Sequence, residues 1–165
     1  MISIIIPIYN EIKYIRQCIT SILSQDCGMS DCEVLLVDGM SNDGSREIME
    51  EYCNRYSFIK MLDNEFRFIP QAMNIGVASS VGEVIIRMDA HASYPDDYVS
   101  TLVSTLKRTN ADNVGSPIVT KVLNENDKTL AIREVLCDKV GVGNSLFRVG
   151  VDEETEVDTV PFGCW

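Results

Sequence analysis

The sequence has a single histidine, no two cysteines in a CxxC pair, and no apolar run long enough to cross a membrane. The six cysteines lack the partners that a zinc site requires, so they favour reduced thiols in a cytosolic protein. The first residues, MISIIIPIYNE, carry no basic leader and reach a proline early, which predicts a buried strand and not a signal peptide. Membrane association would therefore depend on a partner or on a region outside this sequence.

Basic side chains are also scarce. Only 14 lysines and arginines stand against 25 aspartates and glutamates, and the formal net charge is −11. Such a field repels phosphate backbones and anionic lipid, which excludes nucleic acid as a partner. A phosphorylated ligand would need local compensation, from a divalent cation or from a helix N-terminus.

Apolar periodicity is clear over the first two thirds of the chain, and 165 residues with 45% hydrophobic side chains predict one domain with a filled core. Short β-branched runs alternate with stretches of helical spacing. The predicted strands are Ile2–Ile8, Val34–Val37, Phe58–Leu62 and Glu83–Met88, and the predicted helices follow them at 12–25, 45–56, 69–80 and 95–108. This order predicts an α/β fold with a mostly parallel, doubly wound, Rossmann-like sheet flanked by helices.

The helix starts and the last third of the chain give weaker patterns. We expect Asn10 and Ser45 to cap the first two helices, and Pro70 to lie in the first turn of the third. Further on, the sequence predicts a strand at 114–119, a helix at 130–139 and a strand at 157–162.

Polar clusters follow three of the predicted strands, at the edge where open α/β sheets bind ligands. These clusters are Tyr9–Glu11, Asp38 with the SNDGS loop, and Asp89–His91. Each cluster alone is compatible with ordinary turn chemistry. Three clusters at successive strand ends indicate a binding site.

The loops that usually hold phosphate, a glycine-rich dinucleotide loop or a Walker loop, are absent. The Asp89-Ala90-His91 triplet offers another device, because side chains two residues apart project to the same side of extended backbone. Asp89 and His91 can therefore hold one divalent cation, which would neutralise a diphosphate. The simpler alternatives are a hydrogen-bonded loop histidine and a strand-end cap.

Several segments resemble the nucleotide-sugar-binding half of family 2 glycosyltransferases, which have the GT-A fold. They are SIIIPIYNE, LLVDGMSNDGSREI, QAMNIGVASSVGEVIIRMDAH and YPDDYV, all between Ile2 and Leu106. Two later segments, VGVGNSLFRVG and VDTVPFGCW, are similar to the subgroup that builds bacterial exopolysaccharides such as succinoglycan.

The resemblance implies roles for individual residues. Asp38 falls where an aspartate accepts the base N–H of uracil, and Glu11 falls near the ribose. The full set that it implies for the nucleotide is Pro7, Tyr9, Glu11, Asp38, Asp43, Arg67, Gln71, Asn74 and Asp89. For Arg67, Gln71 and Asn74, a solvated helix face is an equal alternative.

Asp89 and His91 fall on the metal motif of the family, DxD, with histidine at its last position. An imidazole ligates Mn²⁺ well and Mg²⁺ less naturally, so the resemblance implies a divalent cation with Mn²⁺ preferred over Mg²⁺. The exopolysaccharide subgroup has the same DAH form, so we interpret the triplet as a variant metal site.

The resemblance divides the chain into a nucleotide-sugar-binding half, residues 1–110, and the start of an acceptor-side half, residues 111–165. In the family, the catalytic base follows the segment that FGCW begins. We therefore expect a domain truncated at its C-terminus, with the base beyond Trp165, little or no transfer by this fragment, and Asp158 as a weak alternative base.

The implied activity is an inverting transfer from a nucleotide sugar, first of all a UDP-sugar, to a saccharide or lipid-linked acceptor in bacterial polysaccharide synthesis. We expect this reaction in the cytoplasm, including the inner face of the cell membrane. One alternative is a nucleotide-sugar-binding module without catalysis. Another is a nucleotidyltransferase, which shares much of the fold but is disfavoured because no glycine- and arginine-rich loop follows the first strand.

Overall fold

A computed structural model describes residues 1–122, 124–143 and 145–165. Four strands form one sheet: β1 (Ile2–Ile8), β2 (Cys32–Asp38), β3 (Ile59–Asp63) and β4 (Val84–Arg87). The strand order is β3-β2-β1-β4, and every neighbouring pair is parallel. The predicted parallel α/β sheet is confirmed. All four strands end on the same edge, where the polar clusters lie.

Helices follow each strand, as the apolar periodicity predicts. They are α1 (Ile15–Leu23), α2 (Ser45–Arg55), α3 (Ile69–Ser79) and α4 (Tyr98–Thr109), followed by α5 (Asp127–Cys137), α6 (Lys139–Val142) and α7 (Leu146–Val149). The predicted helix at 130–139 corresponds to α5, which begins earlier because Asn126 caps it and Thr129 completes a capping box. The VGVGNSLFRVG segment includes Asn144, which lies outside the described residues.

The chain divides into two compact units. The first comprises Met1–Val114 together with Phe162–Trp165, and the second comprises Gly115–Pro161. The sheet and its four flanking helices belong to the first unit, and α5, α6 and α7 belong to the second. The functional division that we expect at residue 110 stays a prediction.

Side chains alternate between the two faces of the sheet, so β1 contributes to two clusters of buried residues. Ile4, Ile6 and Ile8 pack in the larger cluster with α1, α2 and α4, while Ile5 packs on the opposite face with Ala72 of α3. A Cβ at Gly76 would overlap the Ile5 side chain, so this glycine allows α3 to lie directly on β1. The loop that precedes α3 is thereby held beside the carboxyl ends of the strands.

Both strands predicted in the last third are wrong. Val114 makes only an isolated antiparallel bridge to Cys164, and Val119 is 79% exposed. Residues 163–165 take the free edge of β4 instead: Trp165 exchanges backbone hydrogen bonds with Ile85, and Arg87 N–H donates to the Gly163 carbonyl. A β-branched run forms a strand only where a partner edge is available, and this edge is occupied by a segment without that pattern.

Two predicted helix caps are also wrong. Asn10 has a left-handed backbone (φ 56°) and accepts a hydrogen bond from Asn42 N–H, so it belongs to a loop contact and helix α1 begins only at Ile15. At α2 the cap is Gly44, whose φ of 101° suits glycine, and Ser45 is the first helical residue. Pro70 lies in the first turn of α3, as predicted.

Candidate functional site

A cleft of about 260 Å³ opens at the carboxyl ends of the strands, within the first unit. Its walls come from the turn after β1, the loop between β3 and α3, and the residues after β4. The lining residues are Pro7, Ile8, Tyr9, Glu11, Asn64, Arg67, Phe68, Ile69, Ala72, Asp89, Ala90 and His91. Two of the three polar clusters predicted from the sequence therefore meet in one cleft.

Asp89 lines the cleft, and polar contacts fix both its backbone and its carboxylate. Its N–H donates to Tyr94 Oη at 2.6 Å, and its Oδ1 is 3.1 Å from Arg87 Nη2 and 3.2 Å from Arg87 Nε. Burial raises the pKa of Tyr94, so the phenol stays neutral. The Cys18 thiol also lies against this turn, 3.6 Å from the Asp89 carbonyl, and burial raises its pKa to about 12.

His91 lies at the mouth of the cleft, with 61% of its side chain exposed. Its Nδ1 is 3.2 Å from Oε1 of Glu11, a residue of the turn after β1. The structure therefore brings the first and third polar clusters into direct contact. The Glu11 side chain is only 22% exposed, so it is the more enclosed member of the pair.

The turn after β1 is tied to the loop after β2 by hydrogen bonds. Ser45 Oγ accepts from Glu11 N–H at 2.9 Å, and Asp43 Oδ2 accepts from Ile12 N–H at 3.0 Å. Burial raises the pKa of Asp43, but hydrogen bonds from Ser45 and Ile12 outweigh it, so that the pKa lies below its ordinary value. Asp43 thus acts here as a charged acceptor that fixes both loops.

Asp38 ends β2, as predicted, and is completely buried. Its carboxylate accepts from Ser41 N–H and from Arg46 Nη1, the latter at 2.8 Å. Asp38 is not among the described residues that line the cleft. Its role as the acceptor for a base N–H stays a prediction, and in this conformation Arg46 occupies that carboxylate.

Of the three residues expected near the nucleotide, before and within α3, only one lines the cleft among the described residues. Arg67 lines the cleft with a left-handed backbone (φ 63°), and its guanidinium lies 5.8 Å from the centre of the Tyr9 ring. Gln71 and Asn74 are not among the described cleft-lining residues, and Asn74 is exposed on α3. Asp158, the weak candidate for a base, is exposed in the second unit.

Sequence reasoning missed Asn64, which follows β3 and is only 1% exposed. Its Nδ2 donates to the Phe68 carbonyl at 3.1 Å, while its Oδ1 is buried and has no hydrogen-bond partner among the described residues. Asn64 thus combines a place in the wall of the cleft with a buried acceptor that no described residue satisfies. The rule that ligands bind at strand ends could have found it, since it comes directly after the third strand.

A divalent cation would find an incomplete set of ligands in this cleft. Asp89 and His91 both line it, but within the described residues no group of three or more His, Cys, Asp or Glu side chains is arranged to hold a metal. One carboxylate and one imidazole fit an ion that takes its remaining ligands from substrate phosphates and water, as Mg²⁺ does at many phosphate sites. They do not fit a closed structural site.

Comparison with known proteins agrees with this geometry. The chain is 34% identical over 149 residues to the succinoglycan biosynthesis protein ExoA of Rhizobium meliloti, covering 89% of this chain and 44% of ExoA. It is 33% identical over 118 residues to the glycosyltransferase AglE of Haloferax volcanii, covering 71% of this chain and 39% of AglE. The chain spans less than half the length of both relatives.

Solved structures show the same architecture. S. aureus TarS in complex with UDP superposes with a TM-score of 0.64 at 22% identity, covering 76% of this chain and 37% of the TarS chain. The mannosyltransferase PcManGT of Pyrobaculum calidifontis, solved with GDP-Man and Mn²⁺, gives a TM-score of 0.66 at 24% identity, covering 72% and 35%. At these identities the likeness shows the fold.

The parallel sheet, with a cleft at its carboxyl edge, defines an α/β domain of GT-A type. The model of glycosyl transferase family 2 matches residues 3–160, so this chain belongs to that family. Among the described residues, none of the helices combines the length and apolar character that crossing a bilayer requires.

Proposed function

We propose that this chain binds a nucleotide sugar, in the first instance a UDP-sugar, in the cleft between Glu11, Asn64, Asp89 and His91. The sugar would be transferred with inversion to a saccharide or lipid-linked acceptor in polysaccharide synthesis. A lipid-linked acceptor would bring the reaction to the inner face of the cell membrane. Membership of family 2 and the similarity to ExoA support this proposal.

The observation that carries the proposal is the unpartnered Oδ1 of Asn64. A buried acceptor without a hydrogen bond costs about 1–3 kcal/mol, so natural proteins rarely keep one without a reason. Asn64 lines the cleft, and its Nδ2 is already engaged with the Phe68 carbonyl, which fixes the direction of the amide. A ligand N–H or O–H would complete this hydrogen bond, and a nucleoside carries both kinds of donor.

Electrostatics explain why a cation is expected with the nucleotide. Two carboxylates, Glu11 and Asp89, line the cleft of a chain with a net charge of −11, and a diphosphate would add further negative charge. We propose that Asp89 and His91 hold a divalent cation, with Mn²⁺ preferred over Mg²⁺ because imidazole is one ligand. When bound, such an ion would stabilise charge on the leaving diphosphate. Arg67, in the loop between β3 and α3, supplies a positive charge to the same cleft.

Inverting transfer also needs a base, because an acceptor hydroxyl is weakly nucleophilic until a group within hydrogen-bond reach takes its proton. Both cleft carboxylates have partners: Glu11 contacts His91 and Asp89 contacts Arg87. This observation favours a second candidate function, nucleotide-sugar binding without transfer by the 165-residue chain. The base would then lie beyond Trp165, whereas a base at Asp158 would allow transfer by this chain.

A turnover assay separates these functions. Release of UDP from a UDP-sugar on addition of an acceptor would support transfer, whereas release of pyrophosphate from UTP would indicate a nucleotidyltransferase. Thermal shift with a series of nucleotides, with and without Mn²⁺, tests the binding step separately. Absence of any shift with UDP, UDP-sugars, GDP or GDP-sugars would contradict the proposal.

A further inference from the structure

Glu11 and His91 contact each other across the mouth of the cleft, and this contact assigns Glu11 a role other than the ribose contact that the family resemblance implied. We propose that Glu11 is a positioning residue for the metal site: its carboxylate accepts the Nδ1–H of His91 and leaves Nε2 as the atom that binds a divalent cation. This inference rests on the proposed function, because it concerns the cation expected with the nucleotide sugar.

The contact between Glu11 and His91 favours one position for the imidazole proton. Oε1 of Glu11 is 3.2 Å from Nδ1 of His91, and an ionised carboxylate can only accept a hydrogen bond. With Glu11 as a carboxylate, Nδ1 must carry the proton of this hydrogen bond, and in a neutral ring the lone pair is then on Nε2. Histidines that ligate metals usually donate their other ring N–H to a carboxylate or carbonyl, which fixes both the tautomer and the ring orientation.

Glu11 is suited to this role because its backbone is fixed on both sides. Its N–H donates to Ser45 Oγ at 2.9 Å, and its carbonyl accepts from the N–H groups of Tyr14 and Ile15, both at 2.9 Å. The carboxylate belongs to an ordered turn, whereas the imidazole lies at the exposed mouth. Glu11, whose backbone is fixed, thus determines the orientation of the exposed His91 ring.

A histidine at this position needs such a partner, whereas an aspartate would not. A carboxylate presents two equivalent oxygens to a metal, but a neutral imidazole has one lone pair, on whichever nitrogen lacks the proton. Asp89 is the other carboxylate of the cleft, and its Oδ1 is already engaged with Arg87. Glu11 therefore supplies what the change from DxD to DxH requires.

The single histidine makes a direct test possible. In protein with ¹⁵N-labelled histidine, a long-range ¹H–¹⁵N correlation spectrum of the neutral ring reports which nitrogen carries the proton, without overlap from other histidines. We expect the Nδ1–H tautomer in the parent, its loss in Glu11→Ala and its retention in Glu11→Gln, whose side-chain carbonyl still accepts. Glu47→Ala, which removes an exposed acid from α2, is the matched control. A parent ring protonated on Nε2, or a tautomer unaffected by Glu11→Ala, would overturn the inference.

Mn²⁺ affinity, measured by electron paramagnetic resonance with UDP present, tests the consequence for the metal. We expect Glu11→Ala to bind Mn²⁺ about 10–100-fold more weakly and Glu11→Gln to recover most of that loss. In a His91→Asp background, Glu11→Ala should have little further effect, because its partner is gone. An equal loss in both backgrounds would contradict a role through His91.

Uridine without phosphates separates the positioning role from a ribose contact. It needs no cation, so Glu11→Ala should leave its affinity within about twofold of the parent; a loss as large as that for UDP would assign Glu11 to the ribose and overturn the inference. If the parent binds neither uridine nor UDP, a UDP-sugar is excluded as the donor, whereas the tautomer result still decides the Glu11–His91 relationship.

Discussion

Arg46 Nη1 donates a 2.8 Å hydrogen bond to Oδ2 of Asp38, a carboxylate that is completely buried at the end of β2. The same nitrogen lies 2.7 Å from Asp63 Oδ1 at the end of β3. Arg46 therefore joins the carboxyl ends of two neighbouring strands beside the cleft. Hydrogen bonds to Asp63 and Asp38 raise the pKa of this arginine above its ordinary value.

Removing Arg46 should destabilise the fold, because Asp38 would keep a buried charge without its cationic partner. We expect Arg46→Ala to lower the free energy of unfolding by about 2 kcal/mol, less than the roughly 3–5 kcal/mol of a fully buried pair because Arg46 is 30% exposed. Urea unfolding measures this. Arg16→Ala is the matched control, since its pair with Glu51 is more than half exposed, and it should destabilise the fold much less than Arg46→Ala does. An equal loss of unfolding free energy in the two variants would show that the burial of Asp38 does not increase the effect.

Asn64 should be required for nucleotide binding. We expect Asn64→Ala to weaken UDP binding about tenfold, equivalent to about 1.4 kcal/mol, because the ligand loses a buried acceptor. Isothermal titration calorimetry measures the affinity, with the exposed Asn54→Ala as control. Unchanged UDP affinity in Asn64→Ala, with the fold intact by circular dichroism, would remove the Asn64 oxygen from the binding site.

Glu33 should make stability depend on pH. Its side chain is 4% exposed, and it accepts hydrogen bonds from Ser3 Oγ, Val81 N–H and Lys60 Nζ at 2.7, 2.7 and 2.9 Å. Burial raises the pKa of Glu33, but these donors together outweigh it, so that the folded pKa lies below its ordinary value. A carboxyl whose pKa is lower in the folded protein than in the unfolded chain stabilises the fold fully at pH values above its pKa in the unfolded chain. This stabilisation is lost as the pH falls through its pKa in the folded protein.

We therefore expect Glu33→Gln to lose about 1–3 kcal/mol of unfolding free energy at neutral pH, because its NH₂ group would face one of these donors. The difference from the parent should shrink as the pH falls below about 4. Chemical denaturation at several pH values tests this. UDP affinity should not change, since Glu33 lies at the opposite end of β2 from Asp38. A difference independent of pH would contradict the ionised role of Glu33.

Nucleotide affinity should depend on a divalent cation. We expect a chelator to weaken UDP binding at least about tenfold, and Mn²⁺ to restore it better than Mg²⁺, because imidazole is a better ligand for Mn²⁺ than for Mg²⁺. His91→Asp should move the preference toward Mg²⁺, which prefers oxygen ligands. Calorimetry with each metal measures both effects. UDP binding that is insensitive to the chelator would exclude the metal site at Asp89 and His91.

Local pattern was sufficient for much of the fold. The β-branched runs, each followed by a helical stripe, predicted the parallel sheet, and strand-end chemistry indicated the edge that carries the cleft. Asp89 and His91 both line the cleft, but not through the extended backbone that their spacing predicted: Ala90 and His91 lie in a turn, and Ala90 lines the cleft as well. The sheet and the edge that carries the cleft follow from backbone periodicity, which a short window of sequence contains.

Contacts between distant segments were decided only by the tertiary structure. Glu11 and His91 are 80 residues apart in the chain, and no local pattern indicates that their side chains meet. Likewise, Cys164 pairs with β4, whereas the β-branched runs at 114–119 and 157–162 do not join the sheet. Strand pairing depends on a free sheet edge, which the β propensity of a segment does not reveal. The sequence by itself determined which residues end the strands. Which of these strand-end residues share the cleft was decided by the packing of α3 and of the turn after β1 at the carboxyl edge of the sheet. Burial and hydrogen-bond partners depend on the whole folded chain.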